Sequence, residues 1–151
     1  MIRTAQTEDY DALGGVMFTA IRTGPSPYTD AQRRAWNPVP HQGTAWHAKL
    51  AAQHVVMGLT DTAPAGFMSL RPDGYLDLAY ILPAARGTGL FRRLYTAIEA
   101  HAKRAGLGRI WVHASLMAHP PFAAMGFVVV QHEVVTKDGE TLARAEMEKR
   151  L

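Results

Sequence analysis

Apolar residues near the start of the chain recur at helical spacing. Leu13, Val16, Met17 and Ala20 share one face of a stretch that opens at Thr7-Glu8-Asp9 and is broken by Gly24-Pro25-Ser26-Pro27. This pattern predicts a helix to about Thr23, preceded by a short strand at Ile2 to Thr4. Residues 28 to 51 are less regular, with a short helix through Trp36, prolines at 38 and 40, and a second short helix near Trp46 to Leu50. From His54 the period changes to that of strands. The runs 54–60, 65–70 and 75–81 are separated by turns at Asp61 to Pro64 and Pro72 to Gly74, and they read as an antiparallel meander ended by Pro83.

Helical spacing returns at Gly89, where Leu90, Leu94, Ala97, Ile98 and His101 predict a helix through about Ala105, closed by Gly106. Arg109 to Ser115 read as a strand, and Pro120 to Met125 as a short helix stopped by Gly126. Phe127 to Val135 and Leu142 to Met147 form a closing hairpin around Lys137-Asp138-Gly139. The alternation of strands and helices predicts a single α/β domain over residues 1–151.

Composition narrows the function classes. Apolar residues are 48% of the chain and charged residues 19%, which is globular usage. The absence of cysteine excludes disulfides, thiolate nucleophiles and cysteine-based zinc sites, and no metal site is expected. No run approaches the roughly 18 apolar residues of a membrane span, and the N-terminus lacks a signal-peptide pattern. The expectation is a soluble, cytoplasmic protein without a membrane partner. The net charge of +3 is dispersed apart from Arg33-Arg34, Arg92-Arg93 and Lys103-Arg104. Nucleic-acid binders concentrate such charge and interleave it with aromatics. No nucleic-acid partner is therefore expected, and the basic residues are either a solvated surface or contacts for a phosphate-bearing ligand.

The informative segment is Tyr80-Ile81-Leu82-Pro83-Ala84-Ala85-Arg86-Gly87-Thr88-Gly89-Leu90-Phe91-Arg92. Its glycines lie between a strand and a helix start, where backbone N–H groups lack intrahelical partners. Glycine lets those groups converge, and the helix dipole adds positive potential, so the segment can hold a phosphate. Arg86, Arg92 and Arg93 could add charge-assisted contacts. The alternative is a glycine-eased turn into a packed helix. Two other phosphate loops fail. Arg92 stands where a dinucleotide motif needs its third glycine, and the Gly-Lys-Ser/Thr of a Walker loop is missing.

Tyr80 to Phe91 resembles the cofactor segment of the GNAT (Gcn5-related) N-acetyltransferases, Gln/Arg-x-x-Gly-x-Gly/Ala after a strand ending in hydrophobic-x-Pro. Arg86, Gly89 and Ile81-Leu82-Pro83 match, while Phe91 departs from the small final residue. Downstream, Ser115, Ala118, Phe122, Gly126 and Phe127 stand where the family has Asn, Ala, Tyr, Gly and Phe. Ala114-Ser115-Leu116, Gly139-Glu140-Thr141-Leu142 and the closing Met147-Glu148-Lys149 are similar to the YafP-type bacterial subgroup.

The resemblance implies the acyl-CoA N-acyltransferase fold, a mixed, mostly antiparallel sheet with a splayed central strand pair flanked by helices. It implies acetyl-CoA as cosubstrate and direct transfer of the acetyl group to an amine of a small acceptor. Tyr80, Ile81 and Leu82 would offer the amides that hold the pantetheine and acyl carbonyl. Arg86, Gly87, Thr88, Gly89, Leu90, Phe91 and Arg92 would hold the pyrophosphate, and Phe122 would stand beside them without the family's hydroxyl.

An amine nucleophile must lose a proton. Asp77 leads the candidate bases, with His113 and His54 as alternatives, and Ser115, Tyr80 or water could protonate the departing thiolate. Tyr28, Trp36 and Trp46, with His54, are candidates for the acceptor wall, although a small satellite core explains the aromatics equally well. A catalytically weak acyl-CoA-binding module and an acetyltransferase acting on protein acceptors are the competing readings. Homodimer formation through an exposed strand is left open.

Overall fold

The computed structural model describes every residue from Met1 to Leu151. The elements are β1 (Ile2–Thr4), α1 (Tyr10–Arg22), α2 (Asp30–Trp36), α3 (Thr44–Ala51), β2 (His54–Thr60), β3 (Ala63–Leu70), β4 (Tyr75–Ile81), α4 (Leu90–Arg104), β5 (Arg109–Ser115), α5 (His119–Ala124), β6 (Val128–Lys137) and β7 (Glu140–Arg150). The strands form one seven-stranded sheet in the order β1-β2-β3-β4-β5-β7-β6. Every neighbouring pair is antiparallel except β4 and β5. This is the splayed, mixed sheet expected from the resemblance.

Local chemistry accounts for the element ends. Thr29 caps α2 through the Gln32 N–H while the Gln32 side chain returns to the Thr29 N–H, a capping box. α4 closes with Leu107 N–H on the Ala102 carbonyl and Gly106 N–H on that of Lys103, the Schellman pattern. His101, Lys103 and Arg104 fill its last turn, where the helix dipole favours positive charge. The terminal hairpin is longer than the sequence pattern predicts. Asp138 and Gly139 both adopt positive φ, 48° and 78°, forming a tight two-residue turn that lets pairing continue to its edge. Pro64, expected in a turn, lies instead in β3 beside the irregularity at Gly58/Leu59.

Two cores cover the sheet. Leu90, Leu94, Ile98 and Ala102 of α4 pack on one face with Met68, Leu70, Ile110, Val112 and Met147. Leu13, Val16, Met17 and Ile21 of α1 and Leu50 of α3 pack on the other with Val55, Phe67 and Leu78. A bulge in β4 redistributes side chains between them: Ser69 pairs with Leu78 and Leu70 with Leu76, leaving Asp77 as the extra residue. As a result Leu76 belongs to the α4 core and Leu78 to the α1 core. Beyond the bulge, Ala79 and Ile81 pack toward α4, while Tyr80 and Leu82 pack toward α1.

At the far end of β2, the rings of His54 and His101 stack with centroids 3.7 Å apart and planes 2° from parallel. Burial lowers the His54 pKa first, and the charges of His101 and Arg104 lower it further. Because its folded value lies below the unfolded one of about 6.5, the fold favours the neutral ring. That contribution is complete above the unfolded value and is lost as pH falls below it toward the folded value. The urea midpoint should therefore fall between pH 7.5 and 5.5, with a shallower fall in His54→Gln, as followed by circular dichroism.

Candidate active site

β4 and β5 stay paired only at Tyr75–Trp111 and Leu76–Val112 before they part. Leu82 donates its N–H to the Ala65 carbonyl at 2.8 Å. Hydrogen-bonded pairs alternate along an antiparallel ladder, so Tyr80 and Leu82 face β3 with their main chains. Ala79 and Ile81 instead aim N–H and C=O into the gap. On the opposite wall, the Trp111 N–H reaches the Gly74 carbonyl at 3.1 Å. By the same alternation, His113 and Ser115 turn their backbone groups toward the gap. An extended amide-bearing chain would find partners on both walls, as an added strand would.

The gap opens at one end onto the turn before α4. Gly87 and Gly89 hold φ of +76° and +84°, a region that L side chains enter at a cost of roughly 1–2 kcal/mol. No backbone carbonyl accepts from the N–H groups of Gly87 through Arg92; the α4 ladder starts with Arg93 N–H on the Gly89 carbonyl at 3.2 Å. Convergent unpaired amides at the start of a long helix form an anion cradle. Close packing fixes this end on the sheet: a Cβ at Gly58 would lie 2.5 Å from Leu90 Cδ1. Phe91 turns its ring edge-to-face onto Phe122, centroids 4.9 Å apart, which leaves its amide in the cradle.

A cavity of about 410 Å³ follows the gap through the sheet. Its walls include Ser26, Tyr28, Arg33 and Trp36 on the α1–α2 side. Tyr80, Ile81 and Ser115 lie at the gap, and Gly87, Gly89, Arg92, Met117, Pro121 and Met125 on the α4–α5 side. Tyr28 and Trp36, expected as wall aromatics, thus share one cavity with the cradle, and their rings meet edge-to-face at 5.5 Å. The Tyr28 hydroxyl donates to the Ala143 carbonyl at 2.6 Å and accepts from the Leu116 N–H at 2.9 Å, so its proton is engaged. Ser115 Oγ accepts the Ala118 N–H at 3.2 Å and donates to no protein group, which leaves its proton free in the channel.

Several expected site residues lie elsewhere. Trp46 is 4% exposed in the α1 core, its indole N–H on the Tyr10 carbonyl at 2.6 Å. It is a core residue and does not line the cavity. His54 stacks on His101 away from the gap and neither lines the cavity nor approaches it as a base. Phe122 is fully buried among Phe91, Tyr95 and Phe127, behind the wall. Leu82 spends its amide on β3, as Tyr80 does by the alternation, and Thr88 Oγ1 donates to the Ala85 carbonyl at 2.6 Å.

Arg86 lines the cavity but turns its guanidinium toward the end of α1, donating to the Ala20 carbonyl at 2.9 Å and the Pro25 carbonyl at 3.5 Å. Arg33, 8% exposed, donates to the Ile21 carbonyl at 2.6 Å and the Gly24 carbonyl at 2.9 Å. Two cations thereby cap the carbonyl end of α1 and fix the loop to α2 over the cavity. Burial, and secondarily the charge of Arg33, lowers the Arg86 pKa.

The candidate bases rank differently in three dimensions. Asp77 is held by Gln53 Nε2 at 2.8 Å and Lys49 Nζ at 3.4 Å, so its carboxylate is already occupied. His113 Nδ1 lies 2.8 Å from the Tyr75 hydroxyl, and Nε2 faces Glu133 and Glu146 carboxylate oxygens at 3.7 and 3.8 Å. Two carboxylates near Nε2 favour its N–H tautomer, which leaves Nδ1 to accept from Tyr75. Burial, then the Asp77 charge, pushes the phenols of Tyr75 and Tyr80 upward. Ala79 and Met117 carry no sequence signal for this site; Ala79 contributes backbone, which any side chain could accompany.

Residues 26–151 match the family model described as acetyltransferase (GNAT) domain. Among solved structures, a GCN5-related N-acetyltransferase from Rhodopseudomonas palustris superposes with a TM-score of 0.91 at 29% identity, covering 100% of this chain and 95% of that one. A Salmonella typhimurium protein solved with its cofactor acetyl-CoA gives a TM-score of 0.71 at 20% identity, covering 99% and 92%. PaiA N-acetyltransferase from Thermoplasma acidophilum, in complex with coenzyme A, gives 0.68 at 16%, covering 100% and 98%. No curated protein matches the sequence. The inward turn of Arg86 carries its own consequence. Arg86→Ala should lower stability by about 1–3 kcal/mol through loss of charge-assisted bonds to α1, measured by urea unfolding without any ligand.

Proposed function

The chain belongs to the GNAT acetyltransferase family, and from that premise we propose that it transfers an acetyl group from acetyl-CoA directly to an amine of a small-molecule acceptor. One observation carries the reading: a single cavity joins the cradle of unpaired amides at Gly87 to Arg92, the parted strands, and an aromatic pocket under the α1–α2 loop. Acetyl-CoA supplies an activated acyl thioester. Its pyrophosphate suits the cradle with Arg92 at the edge, and its pantetheine arm suits the backbone groups of Ala79 and Ile81. An N–H in that gap, aimed at a developing oxyanion, is a large catalytic term.

The acceptor enters from the side of Tyr28 and Trp36, whose aromatic faces suit an apolar or cationic amine. Tyr75 and His113 lie outside the cavity lining, so His113 takes the amine proton through Tyr75 by way of water that links the pair to the cavity. As Tyr75 passes its own proton to Nδ1, the imidazolium that forms lies near Glu133 and Glu146. Ser115 relays a proton to the departing thiolate, replacing its own from cavity water so that no alkoxide remains, a role that Phe122 lacks the hydroxyl to perform. The loop clamped by Arg33 and Arg86 contributes Ser26 and Tyr28 to a cavity of about 410 Å³, a size that suits a small acceptor. Within the family, the resembling motifs at 114–116, 139–142 and 147–149 support a place in the YafP-type subgroup.

Calorimetry with acetyl-CoA tests the cofactor half. Binding should be lost in Gly89→Glu, whose carboxylate enters the cradle, and largely kept in Gly89→Ala, which carries the same backbone strain. No binding by the folded native chain would sink the proposal. A panel of small amines tests the other half. With an amine that turns over, His113→Gln should lower kcat about 100- to 10,000-fold while leaving the acetyl-CoA Kd unchanged; an unaltered kcat would remove His113 from the proton path.

A further inference from the structure

The two edges of the sheet are guarded unequally. β1 is three residues long, whereas β6 runs for ten. Val128, Val129, Val130 and Val134 on β6 are exposed, Val134 at 66%. From Val128 to Thr136 there is neither lysine nor proline, residues that commonly blunt an edge. A bulge at Val130, where the register slips between Val129 and Gln131, confines the regular part of the edge to Gln131–Lys137.

The backbone direction along this edge follows from the turn. Lys137 and Glu140 flank the two-residue loop and form the closing hydrogen-bonded pair. By alternation, Gln131, Glu133, Val135 and Lys137 spend N–H and C=O on β7, while His132, Val134 and Thr136 aim theirs outward. The far side of β7 agrees. The carbonyls of Thr141 and Ala143 accept from Gln32 Nε2 at 2.7 Å and Tyr28 Oη at 2.6 Å, so those residues face away from β6.

We propose that β6 pairs antiparallel with β6 of a second copy of this chain, about a two-fold axis at Val134, joining the two sheets into one. In that register every outward-facing residue of the regular edge finds an outward-facing counterpart. Val134 meets its own equivalent, and His132 meets the partner's Thr136. Glu133, held by Arg144 of its own chain, lies opposite the partner's Val135 and diagonal to both the partner's Lys137 and the partner's Glu133. Gln131 lies opposite the partner's Lys137, so no like charges stand directly opposite each other. An axis at Glu133 would set two carboxylates directly opposite, which is destabilising. An axis at Val135 would carry His132 past the strand end to the turn, leaving it without a strand partner. Self-complementarity of this kind is what a two-fold interface requires.

The pairing would also brace the acceptor side. The hairpin that carries β6 holds α2 through Lys137 Nζ on the Trp36 carbonyl at 2.7 Å and through the Gln32 contact.

The absence of native cysteine makes the register directly measurable. Opposed residues of a hydrogen-bonded pair have Cα atoms about 5.5 Å apart, within reach of a disulfide. Single variants Glu133→Cys, Val134→Cys and Val135→Cys are oxidised mildly and followed on non-reducing gels, beside light scattering of the native chain. The expected result is a native dimer, with Val134→Cys cross-linking at least tenfold faster than its two neighbours. Thr136→Pro, which removes an outward donor at an edge position that tolerates proline, should give a folded monomer. If that variant does not fold, the cysteine series decides alone. A native chain that stays monomeric, or a dimer in which position 134 has no advantage, overturns the proposal.

Discussion

Two register pairs of a parallel ladder decide what this molecule can do. β4 and β5 meet at Tyr75–Trp111 and Leu76–Val112 and then diverge. Past that point each strand has one side of its backbone without a partner. Unpaired amides are costly when buried away from water, so such a gap persists only where its groups stay hydrated or meet a ligand that replaces the missing strand. The rest of the fold keeps it open. β3 and β7 hold the two strands from their outer sides, and α4 seats its first turn against Gly58 and Gly66. Closing the gap would mean repacking the sheet on both sides.

The bulge at Asp77 is the second element of this design. One extra residue moves Leu78 to the α1 face while Leu76 stays on the α4 face. The same shift puts Ala79 and Ile81 on the α4 side, directs Tyr80 toward the pocket under α1 and α2, and places Asp77 within reach of Gln53 and Lys49. Burial first, and the neighbouring Asp77 second, push the phenols of Tyr75 and Tyr80 upward.

Arg33 and Arg86 supply the third. Their guanidinium groups cap the end of α1 and hold the loop that carries Ser26 and Tyr28 to the cavity wall. Arg86 stands at a position where sequence pattern suggested a phosphate contact, yet its charge is spent on carbonyls. Positive potential for an anion comes instead from the backbone of Gly87 to Arg92 and the start of α4, together with Arg92. A cradle built of main-chain groups tolerates Phe91, because that ring can pack on Phe122 while its N–H remains available.

Spacing along the chain by itself made most of the elements legible, together with the glycine turn that leads into α4. Apolar period, the glycines at 87 and 89 and the Asp138-Gly139 turn act over a few residues, so their consequences are local and legible. The direction of each side chain was decided only in three dimensions. Trp46 fills the α1 core, His54 stacks on His101, and Phe122 lies behind the wall. Each placement depends on strand register, on the Asp77 bulge and on helices packed from distant parts of the chain. The pairing of Tyr75 with His113 joins residues 38 positions apart, and no local pattern encodes it. Ala79 marks the limit most clearly. Its role lies in an N–H and a C=O that every non-proline residue has, and only the parting of two strands leaves those groups free.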